Sequence, residues 1–332
     1  MMKKILKILV FFLIGQSAFA YSGLMAGQAG KLKIAKTRYF DIIYTPQSEA
    51  TANLLFEKAD GLFEELCQLY KVPNRFRTTV TIGHSQDMFN AYFTSFPYNS
   101  IVMYDTPPTD SLMVFSDSFL NTFRHELTHA ISYNSKNKFW HGASRIFGDV
   151  INPALFTITM GWAEGAAVST ESNLGEGRQN SDLHKLLVKQ AKIEGKFPKY
   201  SEIHGARDIS PGGNLSYYFG GAFSEYLQKK YGFEKYAQFW YNAVNIQRPS
   251  YLFYFSNFKK VYGIKIAQAW EEFFDSIEIP DVNANPWEED WCSLQKSSSM
   301  MNVGRSMYPA LTASRIGYAY YDYYTSKIIF ID

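Results

Sequence analysis

The chain has 332 residues, of which 46% are hydrophobic and 19% charged, and its formal net charge is +2. This composition excludes a disordered or low-complexity chain, because there are enough apolar side chains to bury a core. With 33 basic against 31 acidic residues the chain lacks the basic footprint of a nucleic-acid binder, and two cysteines cannot form a disulfide framework. The length allows one large domain or about two ordinary ones.

The first twenty residues have the features of a signal peptide. Positive charge in Met1–Lys4 precedes the apolar run Ile5–Gly15, and Ala18-Phe19-Ala20 is an A-x-A cleavage site. The run is too short to cross a bilayer as a helix of about 20 residues. We therefore expect an exported protein, periplasmic or secreted, that is cleaved after Ala20 and has no membrane span afterwards. An uncleaved signal anchor is the alternative.

The two cysteines are Cys67 and Cys292. An oxidising compartment would let them pair. Cys67, however, lies on the apolar side of a predicted helix, where a buried free thiol is equally expected. The sequence leaves the disulfide and the free thiol open.

The amino-terminal part alternates between predicted strands and a predicted helix. Arg38–Thr45 is rich in aromatic and β-branched residues, which is typical of a strand. Ser48–Lys71 has helical spacing of its leucines, and Pro73 closes it. Thr78–Gly83 and Ile101–Tyr104 are two further predicted strands. This alternation predicts a small sheet covered by helices.

From Ser118 onward the pattern is mostly helical. Long amphipathic stretches cover Ser118–Tyr133, Met160–Ser172, Ser181–Glu194, Ser216–Tyr231 and Ile264–Ile277. We therefore predict that residues 21–280 form one α+β domain, with a small amino-terminal mixed sheet and a mainly helical second half.

The composition changes after Pro280. Residues 281–305 are predicted to be a linker, and residues 306–332 to contain two short strands around a Tyr-Asp-Tyr-Tyr turn. This tail resembles the start of one blade of a TolB-like β-propeller. A single blade cannot bury its own faces, so the resemblance implies a truncated propeller that continues in a longer natural protein. A carboxyl-terminal hairpin packed on the main domain is the alternative.

The strongest chemical signal is the H-E-x-x-H motif that runs from His125 to His129. Four residues are close to one helical turn, so the two imidazoles lie on the same side of a helix and can bind one zinc ion. Glu126, beside them, can reach a water molecule on that ion. The motif therefore predicts a catalytic metal site.

A third protein ligand should follow, because three protein side chains hold the metal in most catalytic zinc sites. Ser132 and Ser135 replace the glycine and the third histidine of the longer H-E-x-x-H-x-x-G-x-x-H motif, which excludes that class. Glu164 lies in a predicted helix beside Trp162 and Ala163, where a buried carboxylate without a partner would be costly. We predict that Glu164 is the third ligand, and that the small residues around it let its helix approach the first helix closely.

His125-Glu126-x-x-His129 followed by Glu164-Gly165-x-Ala167 resembles the gluzincins, the zinc peptidases with a His-His-Glu site. In particular it is similar to the peptidase MA-like domains that precede TolB-like propellers in exported bacterial proteins. The resemblance covers Tyr39 to Ile279 and implies the gluzincin fold with Zn²⁺ as cofactor. By that likeness His125, His129 and Glu164 are the metal ligands. Glu126 is then the general base in peptide-bond hydrolysis by zinc-activated water.

The same resemblance implies a tyrosine that stabilises the oxyanion. Tyr217 matches its place, and Tyr218 is the alternative. No G-x-M-E-N segment precedes His125, so cleavage of internal bonds in a peptide or protein substrate is favoured over removal of terminal residues. Ala163, Ala167 and Val168 replace the other three residues of the thermolysin-like N-E-x-x-S-D segment. A carboxylate that orients a ligand histidine is therefore not recognisable in the sequence.

Two further expectations concern the substrate cleft. Ile101–Tyr104, shortly before the zinc helix, is a candidate edge strand that could hold an extended substrate by strand addition. His204, in the loop Ile203–Pro211, is a candidate second proton donor, although a surface histidine is the more common case.

A different class of function is also left open. The chain could be a non-catalytic binding or assembly protein of the cell envelope, with a vestigial or structural zinc site and a propeller as its interaction module. Glu126 argues against this reading, because a structural site has no use for a base beside the metal. The sequence carries no signal for an oligomeric state.

Overall fold

The structure is a computed structural model that describes residues 31–84, 86, 88–108, 117–205, 208–209, 211–246 and 253–279, and the backbone of 304–311, 316–322 and 327–331. The predicted signal peptide, Cys292 and nearly all of the predicted linker lie outside these residues. The chain divides into two units, Met1–Glu278 and Ile279–Asp332. Among the described residues, no helix has both the length and the apolar composition that a bilayer span requires.

The first unit contains a five-stranded mixed sheet with the strand order β1-β2-β3-β5-β4. Its strands are β1 (Lys33–Lys36), β2 (Phe40–Tyr44), β3 (Thr78–Gly83), β4 (Ala91–Thr94) and β5 (Ser100–Tyr104). The three central strands β2, β3 and β5 are parallel, and β1 and β4 run antiparallel at the two edges. Val80 and Ile82 alternate with more exposed threonines along β3 and are fully buried, which explains the period of two in the sequence.

Helix α1 (Glu49–Leu69) covers one side of this sheet. Leu55, Phe63 and Leu66 share one face of the helix and are fully buried. Phe63 packs edge-on against Phe40 of β2, with 5.7 Å between ring centroids. Cys67, on the same helix, is a buried free thiol whose pKa is raised by burial to about 12.

The rest of the first unit is helical, so the α+β class and the mainly helical second half are confirmed. The helices are α2 (Ser118–Tyr133), α3 (Lys138–Phe147), α4 (Ala154–Thr157), α5 (Met160–Asn173), α6 (Asp182–Ile193), α7 (Leu215–Tyr231), α8 (Phe233–Asn245), α9 (Tyr254–Tyr262) and α10 (Ile266–Ser276). The middle of α2 is buried on every side, since Phe123 and Leu127 are buried in the core and His125 and His129 are buried as well.

One expectation about packing is wrong. β5 is an inner strand, and β4, which was not predicted, lies outside it at the edge of the sheet. Helix α5 contacts α2, as expected, but it also approaches α7 closely. A Cβ on Gly165 would lie 2.5 Å from the carbonyl oxygen of Gly220, and a Cβ on Gly220 would lie 2.6 Å from that of Gly161. The small residues therefore bring α5 close to α7.

The second unit contains a three-stranded antiparallel sheet in the order β6-β7-β8. Its strands are β6 (Gly304–Leu311), β7 (Ile316–Asp322) and β8 (Lys327–Ile331). The sequence predicted two strands here, and β6 is the additional one. No propeller is shown by the described residues, so the propeller remains a prediction.

Candidate metal centre

Helix α2 carries both histidines of the motif. The helix begins where the side chain of Asp117 accepts a hydrogen bond from the backbone N–H of Leu120 at 2.9 Å, which caps its first turn. His125 and His129 follow on one side of the helix, and their ring centroids are 4.9 Å apart. Both rings are buried. The local geometry of one helix is thus enough to pair the two imidazoles.

The third candidate ligand comes from α5. Oε2 of Glu164 lies 3.1 Å from Nε2 of His125 and 3.5 Å from Nε2 of His129. One ligand atom of each residue lies within 4.8 Å of the other two. In a tetrahedral zinc site with bonds of about 2.0–2.1 Å, neighbouring ligand atoms are about 3.3 Å apart. These distances, and a donor set of two imidazoles and one carboxylate, fit a single zinc ion.

The electrostatics of this group favour a cation between its members. Burial and the nearby Arg178 act to lower the pKa of His125, but hydrogen bonds to Glu164 and Glu171 outweigh them and raise it to about 9. Burial also acts to raise the pKa of the Glu164 carboxyl, yet His129 and His125 hold it well below its usual range. A metal ion beside Nε2 would satisfy the same attraction as a proton there, with more charge.

His125 has a second carboxylate on its other ring nitrogen. Oε2 of Glu171, which also belongs to α5, lies 2.8 Å from Nδ1. When Nε2 faces a metal, Nδ1 carries the ring hydrogen and donates it to Glu171, which fixes the tautomer and the orientation of the ring. No such carboxylate was predicted. The spacing of Glu171 from Glu164, seven residues or about two helical turns, is the signal that could have shown it.

Arg178 neutralises Glu171 inside the protein. It lies in a short 3₁₀ segment, Arg178–Asn180, and donates from Nε to Glu171 Oε1 at 2.8 Å and from Nη2 to Oε2 at 2.9 Å. Burial acts to raise the pKa of the Glu171 carboxyl, but Arg178 brings it down to about 2. Nη2 also lies 2.5 Å from Nδ1 of His125. Because two N–H groups cannot donate to each other, we assign both donors to Glu171.

Glu126 and Tyr217 border the same cavity as the three candidate ligands. Glu126 is buried, and burial raises the pKa of its carboxyl. The ring of Tyr217 stacks on His125 with 6.1 Å between centroids, and the guanidinium carbon of Arg178 lies 5.1 Å from the Tyr217 centroid. Burial and then the charge of Glu164 raise the pKa of the Tyr217 hydroxyl. Contacts with His125 and with Arg178 therefore hold Tyr217 beside the metal-ligand group.

Two other candidate residues lie elsewhere. The ring of Tyr218 meets His184 edge-on at 4.7 Å. His204 ends a 3₁₀ segment, its Nδ1 lies 2.8 Å from the hydroxyl of Thr159, and its ring packs on Tyr200 at 4.6 Å. Neither Tyr218 nor His204 is among the described residues that line the cavity. Of these candidates, Tyr217 borders the cavity, and Tyr218 and His204 lie outside its described lining.

The cavity itself has a volume of about 390 Å³. One wall is the edge strand β4 with the residue after it, and the opposite walls come from four helices. The lining residues are Ala91, Tyr92, Phe93, Thr94, Ser95, His125, Glu126, His129, Tyr133, Leu155, Met160, Ala163, Glu164 and Tyr217. A concave site with buried ionisable groups on one wall and, among the described residues, an outermost strand on another is suited to bind and react with an extended chain.

Comparisons with known proteins give a relative and distant structural likenesses. No family model matches the chain. A protein from Treponema pallidum (strain Nichols), described as uncharacterized, is 37% identical over 294 residues, which is 87% of this chain and 25% of the relative. The chain thus spans a quarter of the length of the curated relative that it matches.

Two solved structures of leukotriene A4 (LTA4) hydrolase from yeast (Saccharomyces cerevisiae) are similar at 14% identity. One covers 75% of this chain with a TM-score of 0.44, and the other 76% with a TM-score of 0.42. In each case the match covers 40% of the hydrolase chain.

Proposed function

We propose that the chain is a zinc-dependent peptidase of the gluzincin type that cleaves internal peptide bonds and is exported from the cell. The observation that carries this proposal is the meeting of His125, His129 and Glu164 within 4.8 Å, with Glu126 on the same cavity. A purely structural zinc site is closed by four protein ligands, whereas a catalytic site has three protein ligands and an open position. Three candidate ligands beside a cavity match the catalytic kind.

His125, His129 and Glu164 would hold the zinc ion. When bound, zinc supplies Lewis-acid polarisation of the scissile carbonyl and lowers the pKa of a bound water to about 7. Glu171 and Arg178 keep His125 in the tautomer that presents Nε2 to the ion. These two residues are therefore positioning residues, since they act through His125.

Glu126 and Tyr217 would carry the remaining steps. Glu126 takes a proton from the attacking water and delivers it to the leaving amine, first as a general base and then as a general acid. The hydroxyl of Tyr217 donates a hydrogen bond to the oxygen on which negative charge develops. Both side chains border the cavity that the substrate would enter.

The substrate would lie along β4. This strand is the outermost one on its side of the sheet, and its four residues with Ser95 line the cavity. An extended peptide that pairs with the free edge gains backbone hydrogen bonds independent of its side chains. Such pairing favours cleavage within a chain, because neither terminus of the peptide is needed for recognition.

The experiment is cleavage of a diverse peptide library by the zinc-loaded chain from Tyr21 onward, beside its Glu126→Ala variant. Zinc content is measured in both. We expect the wild type to cut internal bonds and the variant to be inactive with zinc still bound. Equal cleavage by both proteins would remove Glu126 from the mechanism. If neither protein cleaves any peptide while zinc is bound, the peptidase proposal for this chain is overturned and the non-catalytic binding protein is favoured.

A further inference from the structure

Several large apolar side chains are exposed on α3 and just after it. On α3, Phe139 is 71% exposed, Ile146 75% and Phe147 64%. Phe156 on α4 is 83% exposed. Single exposed apolar residues are ordinary, but a group of them in one short region marks an interaction surface.

The exposed side chains of α3 share one side of the helix. At about 100° per residue, Phe139, Ala143, Ile146 and Phe147 fall within an arc of about 100°. In a soluble protein such an arc normally faces the core. Here the buried residue of α3 is Ser144, which lies outside the arc. We call Phe139, Ala143, Ile146 and Phe147 the apolar face of α3; its three large side chains are exposed and Ala143 is half-buried.

Basic residues lie on a different side of α3 from the apolar face. α3 contains Lys138, His141 and Arg145 and no acidic residue. At the same 100° per residue these three fall within an arc of about 60°, on the side of the helix roughly opposite to the apolar face. Lys138 and Arg145 are exposed. The helix thus combines an apolar arc, an aromatic-rich composition and a basic side.

The inner side of α3 is fixed to the rest of the unit. The ammonium of Lys136, almost fully buried, donates to Ser144 Oγ and to Asp149 Oδ1, both at 2.7 Å. Trp140 Nε1 donates to the carbonyl oxygen of Asn245 at 3.1 Å. These bonds hold α3 from its polar side, so the apolar face stays outward and does not turn into the core.

We propose that the apolar face of α3 binds the surface of an anionic lipid bilayer. Helices that lie in the membrane interface carry an apolar face with Trp or Phe and a polar face rich in Lys and Arg. The cations of Lys138 and Arg145 complement anionic headgroups, and the aromatic rings enter the boundary below them. Leu155 and Met160, which follow α3 in the chain, are exposed and line the cavity. A docked molecule would therefore keep the cavity close to the lipid surface.

The test is flotation of the chain from Tyr21 onward with phosphatidylcholine vesicles that contain either no or about 30% phosphatidylglycerol. The start at Tyr21 keeps the apolar run Ile5–Gly15 from entering the bilayer itself. One variant pair removes apolar side chains, Phe139→Ser with Phe147→Ser, and another removes cations, Lys138→Gln with Arg145→Gln. Matched controls at exposed positions elsewhere are Phe56→Ser with Leu186→Ser, and Lys58→Gln with Lys185→Gln.

We expect the wild type to float with anionic vesicles and much less with neutral ones. The Phe139/Phe147 variant should lower the partition coefficient by at least about tenfold. The Lys138/Arg145 variant should lower it by about fivefold for each cation removed. Both control pairs should float like the wild type, and unfolding temperatures should show that every protein is folded.

Two outcomes would overturn the membrane proposal. One is a wild type that stays with the aqueous phase at low salt, or that floats no better than its Phe139/Phe147 variant. The other is a dimer in light scattering that this variant converts to a monomer, which would make the face a contact between two copies. Flotation does not depend on catalysis, so the result can be interpreted even if the peptidase proposal fails.

Discussion

Oε2 of Glu171 lies 2.8 Å from Nδ1 of His125, while Nε2 of the same ring lies 3.1 Å from Oε2 of Glu164. One imidazole is thus held between two carboxylates of a single helix. The two glutamates are seven residues apart, about two helical turns, and so project from the same side of α5. Their shared direction fixes both the orientation of the ring and the nitrogen that it offers to a metal.

The first prediction concerns this outer carboxylate. Glu171→Gln should weaken zinc affinity by about 10- to 100-fold, because the amide holds the tautomer of His125 less firmly and makes Nε2 a weaker donor. Affinity is measured by competition with a chromophoric chelator. The control is Glu57→Gln, an exposed glutamate on α1, which should keep wild-type affinity. Unchanged affinity in Glu171→Gln would contradict the positioning role.

The stability of Glu171→Gln should be measured as well, because Arg178 is the charge partner of Glu171. Without the Glu171 carboxylate, this buried guanidinium loses its charge partner, which typically costs about 3–5 kcal/mol of stability. The double variant Glu171→Gln with Arg178→Met should recover part of that stability, since no unpaired charge remains. Its zinc affinity should stay low. Recovery of both quantities together would mean that Glu171 acts only on stability.

A second prediction separates binding of the metal from the chemistry. Glu164→Ala should lose most of the zinc, because the carboxylate that meets both imidazoles is gone. Glu126→Gln should retain zinc and lose cleavage, because the amide cannot accept the proton of the attacking water. Metal analysis after dialysis against a weak chelator gives both results. Full zinc occupancy in Glu164→Ala would exclude Glu164 as a ligand.

A third prediction distinguishes the two neighbouring tyrosines. Tyr217→Phe should lower kcat by about 10²- to 10³-fold and leave zinc affinity unchanged, since one hydrogen-bond donor to the developing oxyanion is removed. Tyr218→Phe is the matched control, because the Tyr218 ring packs on His184 away from the cavity lining. Its kcat should equal that of the wild type. A larger loss in Tyr218→Phe than in Tyr217→Phe would reverse the proposed roles.

Local features of the site could be predicted from the sequence. The spacing of His125 and His129 translates directly into geometry, because both lie on one regular helix. Glu164 was predicted from a charged residue in an apolar setting, which is also a local signal. Glu171 was missed because its role depends on a histidine 46 positions away in the chain and on which side of α5 packs against α2. Periodicity within a single helix does not specify that partner.

The same distinction applies to the fold. β3 and α2 were predicted with the bounds that the structure shows, since each has a clear period of its own. β4 was missed because its residues Ala-Tyr-Phe-Thr do not alternate strictly between apolar and polar side chains. The close approach of α5 to α7 was not predicted, because a helix with small residues on several sides does not indicate every neighbour that packs against it. Exposure of the apolar face of α3 was likewise not visible, since an amphipathic pattern ordinarily indicates a buried face.

A fourth prediction concerns pH and His184. This imidazole is fully buried, and burial, followed by the charge of Arg178, lowers its pKa to about 3. In the unfolded chain its pKa is about 6.5, so the unfolded state binds an additional proton between these two values. Stability should therefore fall as the pH drops below 6.5, by about 2 kcal/mol at pH 5 from this group alone.

His184→Gln removes the titrating ring and keeps a polar side chain near Gln179. Between pH 7 and pH 5, the free energy of unfolding of the variant should fall by about 2 kcal/mol less than that of the wild type. Urea unfolding at both pH values measures this difference. His204, whose pKa is lowered by burial to about 4, contributes in the same direction. A double variant with His204→Gln should thus depend on pH still less. An equal loss in the wild type and in His184→Gln would contradict the assignment.

The last prediction uses the close approach of α5 and α7. A Cβ on Gly165 would lie 2.5 Å from the carbonyl oxygen of Gly220 and 2.7 Å from Ser224 Oγ. A backbone carbonyl cannot turn aside, so Gly165→Ala must push the helices apart, at a cost of about 1–3 kcal/mol. Gly61→Ala in α1 is the control, because nothing lies within 4 Å of its Cβ position. It should stabilise the protein by about 0.5–1 kcal/mol through helix propensity alone.

The two substitutions should therefore shift the unfolding temperature in opposite directions: Gly165→Ala should lower it and Gly61→Ala should raise it. Gly165→Ala should also weaken zinc binding, because Glu164, the adjacent residue, moves with the helix, whereas Gly61→Ala should leave binding unchanged. If both substitutions stabilised the protein, the helices would have room for a methyl group. The small residues would then serve some purpose other than close packing.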